Sequence, residues 1–151
     1  MKKIIVCLLV IVSIALPFIS AAETYYAQNG AGAMSTREWD TAAGGGGTDL
    51  VWANRQAGDV FIANGQTAIA IDTDPGVGAS QVTLSTATSG GGFTLAAGIP
   101  ITAHIIAGTT TCVLTSGAGT VTVTGNITGG ATASTNALEV GAQSIIVNGN
   151  I

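Results

Sequence analysis

The sequence predicts an all-β fold in which short strands stack along one axis as a β-solenoid. Glycine contributes 22 of the 151 residues, only 8% of residues are charged, and short runs rich in threonine and valine alternate with glycine-rich turns. Such runs are typical of strands. Internal repeats with spacings in the low twenties are the second observation, and they are typical of stacked repeat units that share one core.

The repeats are clearest towards the C-terminus. Residues 117–127 align with residues 141–151 at an offset of 24, with six of eleven positions identical, and residues 101–110 align with residues 123–132 at an offset of 22. An antiparallel β-sandwich is the alternative fold, because it also gives short strands with turns every 8–12 residues. The repeated Gly-Asn-Ile pattern favours the solenoid.

The alignments place His104, Asn126 and Asn150 at equivalent positions. Equivalent polar side chains on stacked strands satisfy one another along the axis. We therefore expect His104 to belong to a polar ladder rather than to act as a catalytic base.

The individual elements follow from local patterns. Ser35 to Glu38 form a capping box, which predicts a short N-terminal helix that ends at Gly44–Gly47. Apolar, β-branched runs between turn residues predict the strands: Leu50–Ala53, Asp59–Ala63, Thr67–Ile71, Gln81–Ser85, Phe93–Ala96, Ile101–Ile106, Thr111–Thr115, Val121–Thr124 and Ser144–Val147.

Three segments differ in composition. Residues 1–22 have a basic start, an apolar run and small residues at the end, as in a bacterial signal peptide that is cleaved after Ala22. Residues 23–74 hold nearly all remaining charges and are expected to form an N-terminal cap and the first coils. Residues 75–151 are expected to form the repeats, with Glu139 as their single acidic residue.

The signal peptide predicts a secreted or cell-surface protein. After cleavage no long apolar run is left to span a membrane. Cys112 is the single remaining cysteine, interpreted as a buried thiol, with a disulfide between chains as the alternative. A net charge of -4 with only four basic residues argues against nucleic acid as a partner.

The N-terminal motifs carry a resemblance to a known fold family. Thr24 to Ala27, Trp39, and Gly58-Asp59 followed by an apolar run to Gly65 resemble the N-terminal segment of right-handed parallel β-helix proteins of the pectin-lyase-like superfamily. Val121–Gly130 is similar to repeats in secreted bacterial surface proteins of adhesin type. The resemblance implies a right-handed parallel β-helix, whose relatives include lyases, hydrolases, adhesins and fibres.

Residue types for catalysis are scarce. Acid–base chemistry on polysaccharides needs at least two carboxyl groups brought together. Asp72 and Asp74 are the best acidic pair, and Asp59 or Asp49 are the residues that could join them around calcium. Because Asp before Pro-Gly is ordinary turn chemistry, we assign no catalytic, cofactor-binding or metal residues and expect no cofactor.

Two functions of different classes follow. The favoured one is a structural or adhesive surface protein that associates end to end with copies of itself. The alternative is a polysaccharide-binding module, or part of a polysaccharide lyase or hydrolase, with extracellular polysaccharide as the partner. A sugar platform would need exposed aromatic rings, whereas the favoured interpretation is that the aromatic residues close the end of the core: Tyr25, Tyr26, Trp39 and Trp52.

Overall fold

The computed structural model describes residues 21–28, 32–66, 69–86, 91–108, 119–129 and 144–151. Over these residues the chain forms short strands and one 3₁₀ turn at Trp52–Asn54. The strands are β1 Thr24–Ala27, β2 Trp39–Asp40, β3 Val60–Ile62, β4 Ile69–Ile71, β5 Val82–Ser85, β6 Phe93–Leu95, β7 Pro100–Ile101, β8 Ala103–Ile106, β9 Thr120–Thr124, β10 Ile127–Thr128 and β11 Ser144–Asn148.

The strands form three sheets. The largest has six strands in the order β10-β8-β5-β3-β1-β2, a second has the order β11-β9-β7, and a third pairs β4 with β6. β1 and β2 are antiparallel. The other strand pairs within the described residues are parallel. The fold is therefore all-β with mixed and parallel sheets.

Alternation along the strands directs one face into a continuous core. In β9 the side chains of Val121 and Val123 are buried, while those of Thr120, Thr122 and Thr124 lie outside. The largest fully buried side chains come from both halves of the chain: Trp39, Phe61, Phe93, Met34, Ile69, Ile71, Leu84, Leu95, Ile101, Ile105 and Val82.

The strand register confirms both repeat alignments. Ile127 pairs with Ile105, and Val147 pairs with Val123. The structure also explains the glycine of the repeated Gly-Asn-Ile pattern. Gly125 has a φ of +152°, and a Cβ there would lie 2.0 Å from the carbonyl oxygen of Ala103. At Gly149 a Cβ would lie 2.1 Å from the carbonyl oxygen of Gly125, so successive backbones approach where only glycine fits.

The predicted right-handed parallel β-helix, as a regular solenoid with a capping helix, is wrong. A solenoid repeats one set of strands on every coil. Here the sheets have six, three and two strands, most of them of two to four residues, and the largest sheet ends in an antiparallel pair. The antiparallel β-sandwich is wrong as well, because its strands would pair antiparallel throughout.

The predicted N-terminal helix is replaced by a turn and a strand. The backbone N–H groups of Thr36 and Arg37 both donate to the carbonyl of Ala33, which closes one turn. The Ser35 hydroxyl, expected to cap the helix, donates to the Asp72 carboxylate instead. The chain then pairs with β1 as β2, so tertiary partners outweigh a capping signal that spans two turns at most.

Two strand predictions also change. The predicted strand Leu50–Ala53 is not formed: its last two residues belong to the 3₁₀ turn Trp52–Asn54, where the N–H of Asn54 donates to the carbonyl of Val51. The predicted strand Ile101–Ile106 is two strands, β7 and β8, which enter different sheets on either side of Thr102. The predicted strand Thr111–Thr115, Cys112 and Glu139 lie outside the described residues.

Candidate functional site

Asp72 and Asp74 bind different parts of the backbone. Asp72 accepts hydrogen bonds from the backbone N–H of Ser35, at 3.0 Å, and from the Ser35 hydroxyl. Asp74 accepts from the N–H of Gly76 at 3.0 Å, and from both the N–H and the hydroxyl of Thr102 at 2.8 Å. Asp74 thereby holds the corner at which β7 turns into β8.

Asp59 and Asp40 serve the backbone in the same way. Asp59 is 1% exposed and accepts from the N–H groups of Glu23, at 3.0 Å, and Gln56, at 2.7 Å. Asp40 is 2% exposed and accepts from the N–H groups of Ala42, at 2.7 Å, and Gly47, at 3.0 Å. Buried carboxylates of this kind replace missing secondary-structure partners with charge-assisted hydrogen bonds.

The acidic residues therefore do not gather around one ion. Among the residues that the structure describes, no three or more His, Cys, Asp or Glu side chains are grouped so that they could hold a metal ion. Asp49 is exposed, and its backbone forms an isolated bridge to Asp40. The carboxylates accept from separate backbone donors in the case of Asp59, Asp72 and Asp74. These side chains therefore do not form the calcium site considered from the sequence.

The predicted polar column is confirmed, with a different bonding pattern. The backbone N–H of Asn126 donates to Nδ1 of His104 at 3.1 Å, and the N–H of Asn150 donates to Oδ1 of Asn126 at 3.0 Å. Each side chain thus accepts from the backbone of the next member, not from its side chain. Nδ1 can accept only when the His104 proton is on Nε2, which gives the imidazole a structural role.

The aromatic side chains pack on one another instead of forming a flat binding face. Phe61 stacks on Tyr25 at 5.7 Å between ring centroids, meets Trp39 edge-on at 5.0 Å and contacts Trp52 at 5.3 Å. Trp39 is fully buried, and its Nε1–H donates to the carbonyl of Met34. Tyr26 lies on the opposite side of β1 from Tyr25. Tyr25, Trp39 and Trp52 thus pack together around Phe61, whereas Tyr26, which was expected to join them, does not.

Both arginines bind backbone carbonyls, a role that the sequence did not reveal. Arg55 donates to the carbonyls of Trp52, Asp74, Pro75 and Gly76 at 3.0–3.2 Å, and its guanidinium lies 4.6 Å from the centroid of the Trp52 ring. The Asp74-Pro75-Gly76 turn is thus held from both sides, since the Asp74 side chain binds Thr102. Arg55 lies 19–21 residues before the carbonyls of this turn, and nothing in the sequence pattern links the two segments.

Arg37 fastens the segment before β2. It donates to the carbonyls of Gln28 at 3.0 Å and Gly32 at 3.3 Å. Its Nε is buried without a hydrogen-bond partner, and burial lowers the pKa of Arg37. The desolvated guanidinium therefore holds irregular backbone in place.

Negative charge concentrates where β1 begins. The Tyr25 hydroxyl donates to the Glu23 carboxylate at 3.1 Å, while the backbone N–H of Glu23 donates to Asp59. Burial, the hydrogen bond to Glu23 and the charges of Glu23 and Asp59 raise the pKa of Tyr25 to about 12. We call Glu23, Asp59 and Tyr25 the N-terminal acidic group. It combines two carboxylates and a phenol where β1 and β3 begin.

One shallow groove lies on the sheet that contains β7 and β9. It encloses about 160 Å³ and is lined by glycine, proline and apolar or hydroxyl side chains: Gly98, Ile99, Pro100, Thr120 and Thr122. Small-molecule sites usually enclose about 300–1,000 Å³ and contain a few convergent polar groups. The groove has neither property.

Comparison with known proteins gives no match to a family model, to a curated protein sequence or to a solved structure. The resemblance to the pectin-lyase-like superfamily thus stays a prediction from short motifs. Within the described part of the chain, no helix has the length and apolar character needed to cross a membrane. The fold and side chains define an all-β protein whose charged and polar groups mainly serve its own backbone.

Proposed function

We propose that residues 23–151 form a secreted structural or adhesive surface protein that associates with copies of itself through the outer edge of β11. The basic start, apolar run and small residues of 1–22 support export. The use of the carboxylates and arginines as backbone ligands supports a structural role over a chemical one.

The exposed edge of β11 carries the proposal. β11 pairs with β9 over five residues, from Ser144 opposite Thr120 to Asn148 opposite Thr124. The Asn148 carbonyl accepts from the N–H of Gly125, which lies on the β9 side. Because backbone groups alternate along a strand, those of Ile145 and Val147 point to the outer side. Within the described residues no strand pairs there.

The side chains of this edge also favour pairing. Soluble proteins protect an exposed edge with charges or proline, and β11 has neither. Ile146 is 50% exposed on this strand. β7, at the opposite edge of the same sheet, is only two residues long and begins with Pro100, which lacks an N–H donor.

A second copy of this chain is the partner that fits. β11 and the turn after it nearly repeat β9 and its turn, with the same Gly-Asn-Ile ending. Because β9 is paired on both sides and the inner edge of β11 is bonded to β9, a second copy offers the outer edge of its own β11, with the same uncharged side chains.

The test is the molar mass of residues 23–151 by light scattering over a concentration series. We expect the mass to grow with concentration, and Ile146→Lys to suppress this growth because a charge at an edge opposes strand addition. Thr122→Lys is the matched control, since it places the same charge on the same face one strand inward, opposite Ile146. A folded wild-type chain that stays monomeric, or equal association of both variants, would contradict the proposal.

A further inference from the structure

Among the residues that the structure describes, no arginine donates to the acidic group of Glu23, Asp59 and Tyr25, whereas signal-peptide cleavage would supply a positive charge there. Glu23 is bonded to the segment that begins β3: its N–H donates to Asp59 and its carbonyl accepts from the N–H of Val60 at 2.8 Å. Ala21 and Ala22, directly before it, are exposed. The predicted cleavage point thus lies one residue before β1.

We infer that cleavage between Ala22 and Glu23 creates an ion pair between the new α-ammonium group of Glu23 and the buried carboxylate of Asp59. A signal peptidase and water break the peptide bond, leaving a carboxylate on Ala22 and a protonated amine on Glu23. The inference depends on the proposed export of the chain. Its consequence is that the folded chain becomes more stable when the signal peptide is removed.

The geometry for this pair exists before cleavage. The Glu23 nitrogen lies 3.0 Å from Oδ1 of Asp59, a distance that suits an ammonium–carboxylate pair without movement of either group. The other oxygen, Oδ2, is held at 2.7 Å by the N–H of Gln56. Asp59 is 1% exposed, so little water screens its charge.

The surrounding charges also favour a cation here. The titratable groups that face this point are the carboxylates of Glu23 and Asp59 and the phenol of Tyr25. Arg55, on the segment before Asp59, directs its guanidinium to the carbonyls of residues 74–76 and to Trp52. A peptide N–H provides one donor to this acidic group, whereas an ammonium group provides three donors and a full charge.

The pair predicts a pH dependence with a definite sign. An α-amino group titrates near about 7.7–8.0 when unperturbed, and a carboxylate at contact distance raises that value in the folded chain. The added stability is therefore complete below about pH 7.7 and is lost as the pH rises through the higher folded value. Chains that keep residues before Glu23 lack this loss.

The sequence allows a direct measurement. Lys2 and Lys3 are the only lysines, so the α-amine is the sole primary amine of residues 23–151. Amine acetylation followed by intact mass spectrometry, over pH 6–10, thus reports the titration of this one group. The material is the chain exported with its own signal peptide, whose mass also locates the N-terminus.

We expect the wild-type amine to titrate about 1 unit above its value in Asp59→Asn. Asp40→Asn is the matched control, since Asp40 is equally buried and also accepts two backbone N–H groups, but lies elsewhere. It should titrate like wild type. In a chain that begins at Ala22, the α-amine lies one residue away from Asp59 and should have the ordinary pKa of an α-amino group. This chain replaces Asp59→Asn as the reference if that variant does not fold.

An amine in the wild type that titrates as in the Ala22 chain would overturn the inference. So would an exported chain whose mass shows another N-terminus. Both outcomes are independent of self-association, because light scattering on the same preparation tests the β11 edge separately. Loss of export altogether would contradict the proposed location as well.

Discussion

The two halves of this chain share one core but are held together by different means. Residues 23–74 contain both arginines of the described chain, the four-ring aromatic cluster around Phe61 and the buried carboxylates of Asp40 and Asp59. Residues 75–151 rely on parallel pairing, on inward aliphatic side chains and on the column from His104 to Asn150.

The difference reflects how much backbone is paired. Where strands repeat, each N–H and C=O finds a partner in the next strand, and neutral side chains suffice. Between β1 and β4 the chain makes turns and forms the antiparallel strand β2. Charged side chains there accept from or donate to backbone groups that have no partner in a neighbouring strand. In the described part of the chain, the buried carboxylates of Asp40 and Asp59 therefore lie where the backbone is irregular.

Two phenylalanines test the contribution of the aromatic cluster, and the largest effect is expected here. Phe61 and Phe93 are both essentially fully buried, but only Phe61 contacts other aromatic rings in the described structure. Phe61→Ala and Phe93→Ala should each cost about 3–5 kcal/mol in free energy of unfolding, as cavity formation does. Aromatic pairs add about 0.5–1.5 kcal/mol each, so Phe61→Ala should be the more costly in urea unfolding. Equal costs would show that the ring contacts add nothing beyond burial.

Two glycines test the close backbone approach in the paired half. At Gly125 the combination of positive φ and contact with the Ala103 carbonyl predicts that Gly125→Ala lowers the free energy of unfolding by about 3 kcal/mol. Gly44, in the glycine run of the first half, has open space around a Cβ, so Gly44→Ala should change it by less than about 0.5 kcal/mol. Thermal unfolding of both variants measures the contrast. A tolerant Gly125 would mean that the strands are not packed at this distance.

The polar column predicts that asparagine can replace His104 at a lower cost in stability than leucine. His104→Leu removes the acceptor for the N–H of Asn126 and should cost about 1 kcal/mol. His104→Asn should cost less, because Asn126 provides the same acceptor function to Asn150 with its Oδ1. Chemical denaturation of both variants and the wild type distinguishes the two. An asparagine as costly as leucine would assign the histidine another role.

The smallest expected effect is a pH dependence in the first half. Burial raises the pKa of Asp72, but hydrogen bonds from the hydroxyl and N–H of Ser35, and from its own N–H, lower it. The lowering outweighs the effect of burial, so the pKa of Asp72 lies below 3.8. The resulting stability is present above pH 3.8 and is lost as the pH falls through the lower folded value. Since Asp72 is exposed, the free energy involved is below about 1 kcal/mol.

Asp72→Asn should therefore be less stable than wild type at pH 6 and equal to it near pH 2, by urea unfolding at each pH. Ser35→Ala is the paired variant, because it removes the hydroxyl donor and should shrink the difference that Asp72→Asn makes. A difference that persists unchanged at low pH would assign the effect to packing rather than to the charge.

Part of the fold was predictable from local patterns. The alternation of valine and threonine around residues 120–124 defines β9 with its inward and outward faces, and the offset-24 repeat defines its pairing with β11. The column of His104, Asn126 and Asn150 followed from this alignment together with the offset-22 alignment. These features depend on near neighbours in a regular ladder, which short-range periodicity encodes directly.

Other features depended on partners distant in sequence. The hydroxyl of Ser35 could cap a helix or bind Asp72, and only the packed chain places Asp72 within reach. From the sequence, Asp74 could be a turn residue or an ion ligand, and Asp59 could be the first residue of a strand or an ion ligand, because the sequence does not say where a carboxylate points. The roles of Arg55 and Asp40 left no pattern at all.

The sequence by itself determined an all-β chain, its repeat register and the inward faces of its strands, because hydrophobic periodicity and glycine placement are local properties. The tertiary structure alone decided that the sheets are unequal, that the capping box becomes a turn beside β2, and that the carboxylates are dispersed among backbone donors. Those outcomes depend on which buried N–H groups lack a strand partner, and this is known only once the whole core has formed.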